Sequence, residues 1–444
     1  MLKSHKSPHS PLFVLGAGSI GLLFASKMRM IQKSYPQLFV CRPCLLLREK
    51  HRPNVIKSFC EPFPKFSQIC PSFSSRILKN EKVETILDHQ KEEGGEDPLF
   101  FVQEEDGYIV VSFKDVNDNI SYWDISVKII NESKEEQAFT NPENSIRNIL
   151  LCTKATDAVT AVQSILHMIH PTKKIKIIIM TNGSMGVVLN IHKLLKEHGL
   201  QDQVDIILAS TTNGVHRGDE HDYDFRTMNQ KMNNRSFNVH HAGLGQTFIE
   251  DTNEISTTLS TIWNKAGLGT HLISSEEMIV LNWKKLAANC AINPLTALRK
   301  CQNGDLLKAP SSIVGASYSN DLKQRHSQRL HYNEPMIFYK LVREVSDVAL
   351  AESQKYSLHD RSLFQEQFKY ESLVSFVEGV VRDTSKNKSS MLQDILQNRY
   401  PTEIDYLNGY VSRLGLEHGL NVKANHYICN EIENLTSNEL KYEK

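Results

Sequence analysis

Residues 11–28, PLFVLGAGSIGLLFASKM, set the fold. An apolar run from Leu12 to Leu15 meets Gly16-Ala17-Gly18-Ser19-Ile20-Gly21, and a helix-compatible segment follows. The order is strand, tight turn, helix. In a GxGxxG turn the first glycine permits the bend, the second lets a pyrophosphate approach the backbone, and the third lets helix pack on strand. The helix N-terminus then offers amide donors and a partial positive charge to an anion. Alone the hexapeptide is a weak signal. With a strand before it, a helix after it and more strands beyond, it points to a dinucleotide site.

Outward from this turn, further apolar runs end in polar residues: CLLLR (44–48), NILLCTK (148–154), KIIIMTN (176–182) and DIILAST (205–211). Helix-compatible segments at 157–169 and 185–198 separate the last three. Strands alternating with helices make a doubly wound, mostly parallel sheet. An NAD site would place Asp or Glu at the end of the second strand. Here Arg48 closes CLLLR, and Arg42 stands slightly earlier. Either suits a 2′-phosphate, which favours NADP(H). The strand pattern favours Arg48 and spacing alone favours Arg42; the bland alternative is a solvated basic cluster with His51 and Arg52.

Between residues 55 and 148 the rhythm breaks. Pro-rich sequence gives way to a charged stretch and then to period-two segments such as 108–113. This reads as a long surface insertion with some antiparallel strand. After about residue 272 strand signals stop, and long amphipathic patterns run from Glu276 onward. The expected architecture is α/β: an N-terminal Rossmann-type doubly wound sheet (1–275, with an insertion at about 55–148), followed by an all-α C-terminal domain (276–444). Residues 303–335 read as a loop within it.

Basic and acidic residues balance at 51 each, so no global field points to nucleic acid. No apolar stretch approaches the ~20 residues of a membrane-spanning helix. Of eight cysteines only Cys41 and Cys44 are close, with no second CxxC or HxxxH, so no metal and no disulfide is expected. The first ten residues, MLKSHKSPHS, are basic and Ser-rich but too short to argue a presequence. A cytoplasmic protein is expected, with a mitochondrial location kept open.

The chemistry concentrates in MIVLNWKKLAANCAINPLTAL (278–298). Ile279, Trp283, Leu286 and Cys290 form an apolar stripe at helical spacing, and Lys285, Asn289 and Asn293 recur every fourth residue beside it. A lone lysine on a helix is usually solvated. Two asparagines in register with it are costly to bury unless something polar meets them.

At this helix the sequence resembles the 2-dehydropantoate 2-reductases (ketopantoate reductases), which carry KLxxNxxxNPLTA, here Lys285 to Ala297. Other motifs of that family follow in order: the Gly16–Gly21 turn, Lys154 after ILLCT, Asn182-Gly183, Asn303-Gly304, Ser389-Ser390-Met391-Leu392-Gln393-Asp394, and Thr402-Glu403-Ile404-Asp405-Tyr406-Leu407-Asn408-Gly409. The resemblance implies NADPH-dependent reduction of a small branched 2-keto acid, with Lys285 as proton donor to the carbonyl oxygen. By the same resemblance Asn289, Asn293, Asn303 and Ser390 hold the substrate's carboxylate and hydroxyl. Lys154 and Asn182 meet the cofactor near the nicotinamide, Asn182 also facing substrate. Glu403 binds the cofactor ribose near Lys285, and Val215 touches the nicotinamide through its backbone.

A cationic donor at the oxygen where hydride transfer builds charge is sound chemistry. Two departures stand out. The family's Asn-Gly-Met-Gly loop is one residue longer here, Asn182-Gly183-Ser184-Met185-Gly186, and an extra residue, with Pro401 in that stretch, separates Ser390 from Glu403. The residues leave open a related hydroxyacid dehydrogenase and a non-catalytic relative, and a homodimer is one option for the assembly.

Overall fold

The computed structural model describes residues 12–15, 19–34, 44–48, 107–117, 119–130, 147–169, 174–216, 237–308, 331–334, 336–356 and 361–442. Among these the strands are β1 (Leu12–Leu15), β2 (Cys44–Arg48), β3 (Gly107–Lys114), β4 (Ile120–Ile130), β5 (Asn148–Leu151), β6 (Ile175–Ile179), β7 (Val204–Thr211), β8 (Gly214–His216), β9 (Phe237–Gly243), β10 (Thr247–Glu250) and β11 (Thr270–Ile273). The helices are α1 (Ser19–Ser34), α2 (Ala155–Gln163), α3 (Ser184–Glu197), α4 (Glu254–Lys265), α5 (Ser275–Arg299), α6 (Ile337–Ser353), α7 (Arg361–Phe368), α8 (Tyr370–Asp383), α9 (Ser390–Leu396), α10 (Asn408–Glu417) and α11 (Lys423–Tyr442). No helix among the described residues is long and apolar enough to cross a membrane.

The strands form one sheet in the order β11-β10-β7-β6-β5-β1-β2-β4-β3-β9-β8. The inner run β4-β2-β1-β5-β6-β7 pairs in parallel throughout. This is the doubly wound order, which starts in the middle and reverses between β1 and β5. Phe13, Leu15, Ile149, Leu151, Ile177 and Ile179 pack against residues of α2 and α3. The alternate residues Val14, Leu150 and Ile178 pack against α1 and α4. The period of two gives each face a helix layer, which is why NILL and IKIII are apolar almost without alternation.

The expected insertion at 55–148 needs correcting in part. β4 lies inside it, yet it pairs parallel to β2 and antiparallel to β3, as the third strand of the parallel set. Its sequence alternates Asp124, Ser126 and Lys128 with apolar residues. Alternation reports one apolar face and does not separate an inner strand from an edge hairpin.

The chain passes from β7 to β8 through Thr212 and Asn213 alone, although seven strands lie between those two in the sheet. The sheet therefore curls back on itself. Helix α1 lies inside the curl, in contact with β3, β4, β8 and β9 as well as β1. Its Leu22, Leu23, Phe24, Ala25 and Met28 are completely buried, as expected of a helix apolar on most sides.

Helix α5 is the axis of the second core, where its Trp283, Leu286, Cys290 and Leu295 meet residues of α6 through α11. It starts at a reciprocal cap: Glu277 N donates to Ser274 Oγ at 3.2 Å, and Ser274 N donates to the Glu277 carboxylate at 2.8 Å. A buried polar network ties the helices together. Asn408 Nδ2 donates to the Cys290 carbonyl and to Asn425 Oδ1, both at 2.9 Å. Glu344 accepts from Ala424 N at 2.7 Å and from Asn425 N at 2.8 Å, satisfying amides at the start of α11.

Candidate active site

Ligands of open α/β sheets bind beyond the carboxyl ends of the parallel strands, where the strand order reverses. Lys154 follows β5 there, and its ammonium pairs with Asp394 of α9 at 2.7 Å. Ala155 N, the first amide of α2, donates to Glu403 Oε1 at 3.0 Å, and Asn182 Nδ2, just past β6, donates to Glu403 Oε2 at 3.3 Å. One carboxylate thus spans the ends of two neighbouring strands. Burial raises its pKa, and the two hydrogen bonds act against that rise. Gly183 follows at φ +62, and a Cβ there would lie 2.9 Å from both the Cβ and the carbonyl oxygen of Tyr406. Only glycine lets the loop after β6 lie flat against the turn after Glu403.

Lys285 points from α5 to the end of β7. Its Nζ donates to Ser210 Oγ at 3.1 Å and to the Thr211 carbonyl at 3.3 Å. Desolvation lowers its pKa to about 8, while the Glu403 charge pulls upward. Lys285 and Asn289 line one pocket together with Thr181, Gly183, Ser184, Met185, Asn282, Leu286 and Tyr406. Asn289 has no hydrogen-bond partner among the described residues. Farther along α5, Asn293 Nδ2 donates to Ser390 Oγ at 3.4 Å. Asn303 Nδ2 donates to Thr384 Oγ1 at 2.9 Å, and its Oδ1 is buried with no partner among the described residues. The anticipated substrate residues therefore fall into a pair lining one pocket, Lys285 with Asn289, a pair farther along α5, Asn293 with Ser390 of α9, and Asn303, which bonds Thr384. From Lys285 to Asn293 is ~12 Å of helix rise.

On the cofactor side Gly16, Ala17 and Gly18 lie outside the described residues, as does Arg42. Ser19 and Ile20 open α1 half-buried, and Gly21 is buried. Arg48 ends β2 opposite Ile130 of β4, and its side chain lies outside the described residues. Val215 sits on β8 opposite His241 of β9. At the crevice between β1 and β5, Thr153 Oγ1 is buried without a partner among the described residues. An orphaned hydroxyl at the reversal point suits a bound polar group.

Sequence reasoning missed several members of this constellation. Ser210 and Thr211 carried the signal of standing at a strand's carboxyl end. Asp394 stood inside a quoted motif, but its partner lies 240 positions away, beyond the reach of spacing. Ser184, the extra residue of the Asn-Gly loop, donates to Asn282 Oδ1 at 3.3 Å. Asn408 of the TEIDYLNG motif holds the helical core, while Glu403 of the same motif faces the site.

The family described as ketopantoate reductase PanE/ApbA matches residues 112–254, and its C-terminal counterpart matches 277–316 and 326–436, together more than half of the chain. The chain belongs to the ketopantoate reductase family. It is an oxidoreductase of that family. The 2-dehydropantoate 2-reductase of Yersinia pestis is 29% identical over 314 residues, 68% of this chain and 79% of that protein. A ketopantoate reductase of the PanE/ApbA family from Ralstonia eutropha has a similar fold, with TM-score 0.58 and 16% identity over 97% of this chain and 99% of that one. So does a D-mandelate dehydrogenase solved with NADH and anilino(oxo)acetate, with TM-score 0.57 and 16% identity over 96% of this chain and 98% of that one.

Proposed function

We propose that this chain reduces 2-dehydropantoate (ketopantoate) to (R)-pantoate with NADPH, a step toward pantothenate and coenzyme A. In this reading residues 1–275 hold the dinucleotide and the helical part, 276–444, carries the acid catalyst and substrate groups. The observation that carries it is Lys285, held at the end of β7 by Ser210 and Thr211 with a pKa lowered to about 8.

Bound nicotinamide would supply the hydride. An ammonium has three donors. Ser210 Oγ and the Thr211 carbonyl accept two of them, and the third is left for the substrate's carbonyl oxygen. At pH 7 a group with a pKa of about 8 is mostly protonated, yet it is a stronger acid than a free lysine. Lys285 therefore polarises the carbonyl and then gives up its proton as negative charge grows on oxygen. Glu403 favours the charged form of Lys285 beforehand. Asn289, with no partner among the described residues, and the Asn293–Ser390 pair offer donors to the substrate carboxylate. Arg48 reads the 2′-phosphate, so Arg48→Ala should weaken NADPH binding by ~1.5–3 kcal/mol and leave NADH nearly untouched.

The test is NADPH oxidation by the purified full-length chain with ketopantoate, set against pyruvate and against NADH. Faster turnover of ketopantoate with NADPH is expected. A preference for pyruvate sinks the substrate assignment, and a preference for NADH sinks the role of Arg48.

A further inference from the structure

Behind Lys285 lies a buried polar hub that does not line its pocket. The Thr211 carbonyl, one of the two acceptors of Lys285 Nζ, belongs to the peptide that leaves β7. The N–H of that same peptide, on Thr212, donates to the Gln246 carbonyl at 2.8 Å. The N–H and C=O of a trans peptide point opposite ways, so a fixed Gln246 aims the carbonyl at Lys285.

Asn213 grips both sides of this contact. Its Nδ2 donates to Thr211 Oγ1 at 2.9 Å and to Thr247 Oγ1 at 3.3 Å. Its Oδ1 accepts from Gly245 N at 3.1 Å and from His241 Nε2 at 2.9 Å. Four bonds use the whole capacity of an amide side chain. The Gly245 amide can only donate, which settles the orientation of Asn213 and with it the proton on His241 Nε2. Burial, then the charges of Lys27 and His240, holds His241 below its usual pKa against the Gly243 backbone and Asp115, which favours the neutral ring. Asn213 is 6% exposed and His241 1%. The turn between β9 and β10 is pressed onto the turn between β7 and β8, since a Cβ at Gly245 would lie 2.4 Å from the Thr212 carbonyl. Asn213 stands where the two turns cross, bonded to each.

We propose that Asn213, supported by His241, is a positioning residue for the reduction: it locks the peptide after β7 so that the Thr211 carbonyl takes one ammonium proton of Lys285 and leaves another aimed at the substrate. The proposal rests on the keto-acid reductase reading and goes beyond it, because it gives a part in the reaction to residues outside the pocket.

The experiment measures kcat, KM and the pH profile of ketopantoate reduction in the wild-type chain and in Asn213→Ala, Thr211→Val and Thr211→Ser. Valine keeps the branched shape that suits a strand but offers Asn213 no acceptor, whereas serine keeps the oxygen. Asn213→Ala and Thr211→Val should each lower kcat by about tenfold, the effect of a slightly misplaced proton donor. The KM for NADPH should stay within about twofold. An ammonium with a poorer acceptor gives up its proton more readily, so the decline in rate should begin at lower pH than in the wild type. Thr211→Ser should recover both kcat and the profile. A loss of thermal stability with kcat and pH profile in place makes the hub structural only and overturns the proposal. A raised KM for NADPH at unchanged kcat overturns it too, because the hub would then serve β8 and Val215. A wild-type chain that reduces no keto acid overturns the reductase reading and this proposal with it.

Discussion

Helices α1 and α5 both run through the interior, and they are buried on different terms. In α1 the fully buried positions Leu22, Leu23, Phe24, Ala25 and Met28 are apolar, the curled sheet closes over them, and the polar residues buried with them, Ser26 and Arg29, are not among those lining the pocket of Lys285. In α5 the apolar stripe of Trp283, Leu286 and Cys290 runs beside Asn282, Lys285, Asn289 and Asn293. Packing explains those five positions of α1, and Gln32 of the same helix meets the Arg29 guanidinium. Packing does not explain α5, because apolar residues at those polar positions would bury at less cost. Polarity that packing does not require marks the helix that meets substrate.

The sharpest way to break this contrast is Lys285→Ala. Turnover should fall by ~10²–10⁴ as an acid catalyst is lost, while the thermal midpoint barely moves. Near-wild-type turnover would make α5 as structural as α1. Next in size is Leu23→Ala in α1, where an emptied core position costs ~2–5 kcal/mol. Denaturant titration should show that loss, with turnover per folded molecule retained; a selective loss of turnover would blur the two helices.

A smaller effect is expected at Asn408, which serves α5 from behind. Asn408→Ala strips a donor from the Cys290 carbonyl and from Asn425, for about 1–3 kcal/mol of stability. The kcat/KM should stay within about threefold. A collapse of kcat/KM without loss of stability would move Asn408 into the active site. The smallest effect is a displaced pH profile. Reduction should decline as pH rises through about 8, because deprotonated Lys285 has no proton to give. Glu403→Gln removes the charge that raises the pKa of Lys285, so the decline should begin at lower pH. A profile that stays in place would mean that Glu403 does not act on Lys285 through its charge.

Local pattern made much of this legible. The runs at 12–15, 44–48, 148–154, 176–182 and 205–211 contain or overlap β1, β2, β5, β6 and β7, and the change to helices after about residue 272 follows β11. Strand period and helix period are properties of neighbours in sequence. β4 was not legible as a core strand, because its place beside β2 is decided by a partner more than 70 positions earlier. The same limit hid Asp394 opposite Lys154 and the Ser184–Asn282 pair. Lys285 was legible because its helix carries its own contradiction, a polar stripe next to a buried one. The second-strand arginines, read as the 2′-phosphate site, have side chains outside the described residues.

The curl around α1 also sets a schedule for a chain made from its N-terminus. Phe113 and Val239 belong to the same apolar cluster as Leu22, Leu23 and Met28. The last of that cover is synthesised about 200 residues after the helix itself, which at ~5–20 residues per second is a delay on the order of ten seconds or more. Through that interval the cover over the oily side of α1 is incomplete. The nascent chain thus carries a sticky segment whose shielding is written near the middle of its message, and it depends on whatever holds such segments apart during synthesis.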